Sequence, residues 1–76
     1  MTISSRDGGP VDENGYQWPK GVGRPAIAAL RQAGITTLEA LAGRSEREIA
    51  SLHGMGPKSL RILKEVMAQR GIQPLS

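Results

Sequence analysis

The stretch "LHGMGPKSLRILKEV", residues 52–66, decides how this chain is read. Two glycines flank one apolar residue, a proline follows, and an amphipathic run begins. Gly54 and Gly56 allow a sharp turn in conformations that a side chain would penalise. Met55 between them is placed to pin that turn to a core. Pro57 suits the first position of a helix, where its missing N–H would have had no intrahelical acceptor. Leu60, Leu63, Val66 and Met67 then fall on one helical stripe, and Gly71 with Pro74 marks the end. The turn therefore presents a helix start, where backbone N–H groups lack partners and the helix dipole is positive. Lys58 adds a charge there, Ser59 a hydroxyl, and Arg61 a second charge on the side of Lys58. A phosphate oxygen is the natural occupant of such a place. The elements suit the grip of a phosphodiester backbone, and none of them suits the reading of bases.

The same pattern occurs earlier. "GVGRPAIAAL" at 21–30 aligns with "GMGPKSLRIL" at 54–63, an offset of 33 residues, with Ile27 matching Leu60 and Leu30 matching Leu63. Two helix-forming units with glycine turns, sharing one core, are the smallest arrangement in which each could bury its apolar face. Between them the punctuation predicts four helices. The first runs from about Pro25 to Ala33 and stops at Gly34. A short second helix lies in "TTLEAL", with Thr36 and Glu39 at capping-box spacing and Gly43 beyond it. A third starts at Ser45, with Glu48 at the same spacing, and ends before Gly54. The fourth runs from Pro57 to Gly71. Strand signals are absent, so the expected fold class is all-α: a compact bundle of four to five short helices.

Residues 1–15, rich in Gly, Ser, Asp and Asn, are expected to be a disordered tail. Residues 16–73 form the expected domain and 74–76 a short C-terminal tail. Tyr16 and Trp18 are the only aromatics, and Trp18 is expected to fold back and cap a small core. The alternative, a stacking platform for a base, lacks a second aromatic on the domain.

Charge follows this division. Residues 1–17 carry Arg6 against Asp7, Asp12 and Glu13, whereas 18–76 carry nine Lys and Arg against four Glu. A basic domain of this size has polyanions among its expected partners. The chain has no cysteine and one histidine, so neither a disulfide frame nor a zinc site is available to staple it. No cofactor and no metal is expected. The opening residues lack a charged n-region followed by an apolar run, and no apolar stretch is long enough to span a membrane. The expectation is a cytoplasmic protein.

"IASLHGMGPKSLRIL" resembles a helix-hairpin-helix motif: Ile49, Leu52, Gly54, Met55, Gly56, Lys58, Leu60 and Leu63 fit its pattern. The wider span 22–72 resembles the C-terminal domain of the bacterial RNA polymerase alpha subunit, including the closing "RGI", and the expectation is a free-standing relative that lacks the polymerase N-terminal domain. The resemblance implies two helix-hairpin-helix units that contact the backbone and minor groove of double-stranded DNA. Gly56, Lys58 and Ser59 match the second-hairpin contacts. Arg24 stands one residue from the position of the family's principal arginine, which Pro25 occupies. An asparagine of the family is Ala28 here, and an acidic position on its last helix is Ile62. These departures favour phosphate contact over sequence selection. Relatives of the motif also hold a monovalent cation on turn carbonyls, which would be those of Ala50, Leu52 and Met55.

The expected interface comprises Gly21, Gly23, Arg24, His53, Gly54, Gly56, Lys58, Ser59 and Arg61. His53, with no partner histidine or cysteine, is expected to be an exposed turn residue near phosphate. Ile62 lies off the buried stripe and is expected either to pack beneath the Trp18 segment or to join a protein-binding patch. The competing function is an adapter between proteins, associated with the transcription machinery or DNA repair. An enzyme is not expected, because a chain with seven scattered acids offers no catalytic pocket.

Overall fold

The computed structural model describes residues 9–11 and 15–76. Three α-helices and one 3₁₀ turn occur among them: α1 (Arg24–Gln32), the 3₁₀ turn Glu39–Leu41, α2 (Glu46–Ala50) and α3 (Pro57–Gln69). The expected second α-helix is this single 3₁₀ turn. Leu38 and Leu41 are both fully buried, and side chains three apart eclipse one another in 3₁₀ geometry, so one tight turn sends both into the core. The expected capping box also falls one residue out of place, because the Ala40 N–H donates to Thr37 Oγ1 at 3.2 Å and Thr36 is not used. At α2 the expected cap forms, with the Glu48 N–H donating to Ser45 Oγ at 3.2 Å. α1 and α3 each end two residues before Gly34 and Gly71.

The core is built by Trp18, Val22, Ala26, Ile27, Leu30, Ile35, Leu38, Leu41, Ile49, Leu63 and Met67. From the expected stripe of α3, Leu63 and Met67 are buried, while Leu60 and Val66 pack at its edge. Trp18 is 1% exposed. Its ring meets Tyr16 edge-on, with centroids 5.0 Å apart and planes at 73°, an arrangement that favours aromatic pairs beyond their buried area. The Tyr16 hydroxyl accepts from the Leu38 N–H at 3.1 Å, which joins the aromatic segment to the 3₁₀ turn. Both aromatics serve the core, and neither is a stacking platform.

Order extends into the stretch expected to be a tail. The Gly9 N–H donates to the Trp18 carbonyl at 3.1 Å and the Trp18 N–H to the Pro10 carbonyl at 2.9 Å, with Val11 and Gln17 forming an isolated antiparallel bridge. The rest of that stretch, residues 1–8 and 12–14, lies outside the described residues. At the other end, the Ser76 N–H donates to the Arg44 carbonyl at 2.8 Å and the Glu46 N–H to the Ser76 carbonyl at 3.0 Å. Residues 74–76 are thereby tied to the start of α2. No helix among the described residues is long and apolar enough to cross a membrane.

Removing the indole takes the largest buried side chain out of the core. Trp18→Ala should destabilise the domain by about 3–5 kcal/mol, enough to abolish a cooperative helical melting curve followed by circular dichroism. A retained sharp transition near that of the parent would show that the aromatic segment is peripheral.

Candidate nucleic-acid interface

The two glycine turns obey the 33-residue offset in their backbones. Gly21 has φ 97° and Gly54 has φ 100°. Gly23 and Gly56 are the N-caps of α1 and α3, extended at φ −73°, ψ 157° and φ −99°, ψ 166°. Their hydrogen bonds correspond as well. Val22 N–H to the Pro19 carbonyl, 3.2 Å, matches Met55 N–H to the Leu52 carbonyl, 3.0 Å. Ile27 N–H to the Gly23 carbonyl, 3.1 Å, matches Leu60 N–H to the Gly56 carbonyl, 3.0 Å.

The turns are packed crosswise, each against the helix that follows the other. A Cβ built on Gly54 would lie 2.6 Å from the Pro25 carbonyl oxygen, and one built on Gly21 would lie 2.5 Å from Ile62 Cδ1. Positive φ and close approach together require glycine at both places. The Gly23 N–H donates to Ser59 Oγ at 3.2 Å, a contact spanning 36 residues of sequence. These contacts set the second turn beside the start of α1, and the first turn beside α3.

The nine residues of the expected interface differ in exposure. Arg24, His53, Lys58 and Arg61 are exposed. Gly21 and Gly54 are exposed as well, although a Cβ on either would meet Ile62 or the Pro25 backbone. Ser59 is buried at 9% exposure and its hydroxyl is engaged with Gly23. The Ser59 side chain thus turns toward the first turn, where its oxygen accepts from the Gly23 N–H while the O–H remains a donor. The same bond occupies the Gly23 amide. No such bond reaches Gly56, whose counterpart for Ser59 under the offset is Ala26. The N–H groups of Gly56, Lys58 and Ser59 find no acceptor among the described residues. A Cβ built on Gly56 would meet nothing within 4 Å, and its φ is one that any residue adopts.

The helix starts differ in kind. α2 has a serine cap and two carboxylates, Glu46 and Glu48, in its first turn, the arrangement that complements a helix dipole. α1 and α3 have no side-chain cap and no acidic residue in the first turn. They open instead with Arg24 and Lys58. Lys20, exposed before the first turn, occupies the place of His53 under the offset. It belongs with the basic group, and the repeat itself was the signal that identifies it. Lys64, further along α3, is engaged by Glu46 at 2.9 Å, both side chains nearly half exposed, a pair of little energetic weight.

Ile62, the candidate for a protein-binding patch, is half-buried with its Cδ1 toward Gly21. Two shallow apolar recesses flank the second turn. One, of about 190 Å³, is lined by Ala50, Met55, Gly56, Pro57 and Leu60; the other, of about 170 Å³, by Ala29, Gln32, Ala33, Leu52 and His53. Among the described residues no group of three or more His, Asp or Glu side chains gathers as a metal site would require.

Over 47 residues, 62% of its length, the chain is 38% identical to the DNA-directed RNA polymerase subunit alpha of Mycoplasma mycoides subsp. mycoides SC. It spans 15% of the length of that subunit. No family model and no solved structure matches the chain. The similarity supports a relation to the alpha subunits.

The glycine pair separates two causes that the sequence alone confounds. Gly54→Ala should cost at least about 2 kcal/mol, because a strained φ and a backbone overlap act together. Gly56→Ala should change stability by no more than about 1 kcal/mol, a weaker cap being partly offset by a stiffer unfolded chain. Urea denaturation of both variants measures the difference, and equal losses would contradict the packing described here.

Proposed function

We propose that the chain is a DNA-binding domain that grips the phosphate backbone of double-stranded DNA from the minor-groove side, largely without regard to sequence. In this reading the two glycine turns with their following helices are a pair of helix-hairpin-helix units. One observation carries it: α1 and α3 begin uncapped and cationic, while α2 of the same chain begins capped and acidic. A helix start with a positive charge beside its own positive dipole is less stable by about 0.3–1 kcal/mol. An external anion at Gly56, Lys58 and the amide of Ser59 offsets that loss and satisfies the open N–H groups.

Gly56 supports the same reading, since nothing inside the fold requires a glycine there and a ligand that approaches the backbone does. The relation to an RNA polymerase alpha subunit supports a role connected with transcription. Base readout has little basis in the site. The exposed side chains at the turns are cations, and the two aromatics are taken by the core. Contacts of this type position a protein on a duplex and weaken steeply with salt. Ile62, the residue the adapter reading relies on, is half-buried beside Gly21, which gives that reading less support. We assign the chain no catalytic role.

Lys58→Glu separates binding from folding by the sign of its two effects. Placed in the first turn of α3, a carboxylate should raise the melting temperature by about 2–6 °C. It should also weaken affinity for a labelled duplex by about tenfold or more at low salt, read by fluorescence anisotropy. Unchanged affinity would remove the second turn as the contact surface.

A further inference from the structure

We infer that the Ser59 side chain is a positioning group that makes the two turns act as one grip, and that this side chain does not itself touch the nucleic acid. The inference rests on the binding reading above and adds to it the device that holds Arg24 and Lys58 in a common register. Ser59 lies on α3, buried, and its Oγ accepts from the N–H of Gly23, the N-cap of α1 and the residue before Arg24. Lys58 is its immediate neighbour on the other side of the bond. One hydrogen bond therefore spans from the residue beside the first exposed cation to the residue beside the second.

The internal repeat shows what the hydroxyl is for. Ala26, also buried, stands at the equivalent place on α1. A methyl is thus sufficient to fill this position of the packing, and the added oxygen of Ser59 answers the Gly23 amide. Gly54 against the Pro25 carbonyl fixes the separation of the same two segments, but a steric stop resists approach only. The Ser59 bond resists separation. Together they set the spacing of two cations that would meet phosphates at once, and simultaneous contact multiplies affinity only while that spacing is held.

The test compares Ser59→Ala, Arg24→Ala and the double variant with the parent chain, by anisotropy on a labelled duplex across a salt series. Ser59→Ala should fold, since alanine serves in the other copy; circular dichroism and the loss of protection of the Gly23 amide by NMR verify this. A hydroxyl is uncharged, so a direct Ser59–phosphate bond would lower affinity while leaving the salt slope of log K unchanged. Loss of register instead removes the Arg24 contact, and the slope falls by about 0.9. The expected result is that fall, with Arg24→Ala having several-fold effect in the parent and almost none after Ser59→Ala. A weakened but equally steep salt dependence, or an Arg24 effect that persists undiminished, overturns the positioning role while leaving the binding reading in place. A parent chain without duplex affinity removes the binding reading, and the positioning role with it.

Discussion

The structure depends on two glycine turns, each packed against the helix that follows the other. Gly54 sits against the backbone of Pro25, Gly21 against the side chain of Ile62, and Ser59 holds the Gly23 amide. Each contact joins one copy of the repeat to the other. The core beneath, from Val22 and Leu30 to Leu63 and Met67, is shared between the copies in the same way. A domain this small buries a modest fraction of its surface and depends on such efficient sharing. The position of the helix starts is therefore a consequence of how the core is built.

Much of this was legible in the residues. Glycine, proline and apolar spacing placed α1, α2 and α3 to within a residue or two, because those signals act locally. The 33-residue echo carried information about backbone geometry, and the matching φ values and hydrogen bonds follow it. The 3₁₀ turn was misread as an α-helix, since burial of Leu38 and Leu41 decided its shape against a weak local propensity. The pairing of Gly9 and Pro10 with Trp18 was hidden for a related reason: it uses backbone groups of a polar stretch with no apolar pattern to announce it. At the site, Arg24, Lys58 and Arg61, singled out in the sequence, are exposed. The bond between Ser59 and Gly23 was not foreseen, because the partners lie 36 residues apart and no local rule relates a serine to a distant amide.

Two of the three helices forgo the usual means of stabilising their first turn. α2 shows that the chain has those means available, in Ser45, Glu46 and Glu48. Departures from local consistency of this kind concentrate where a protein contacts something else. Here they occur at equivalent positions of both repeats. The partial asymmetry is also informative. The first turn spends its cap amide on Ser59, and the second keeps its own open. The halves share a backbone geometry and differ in this one bond.

A surface braced in this manner resists following the contours of whatever it meets. Gly54 lies against the Pro25 backbone, Gly21 against Ile62, and Ser59 holds the Gly23 amide. On the binding reading the burden of adjustment falls on the duplex. Its groove must widen or narrow to the gauge the protein sets, and the energy of that change differs from one base step to the next. A rigid clasp that reads no letter would then still favour the more pliant stretches of a genome.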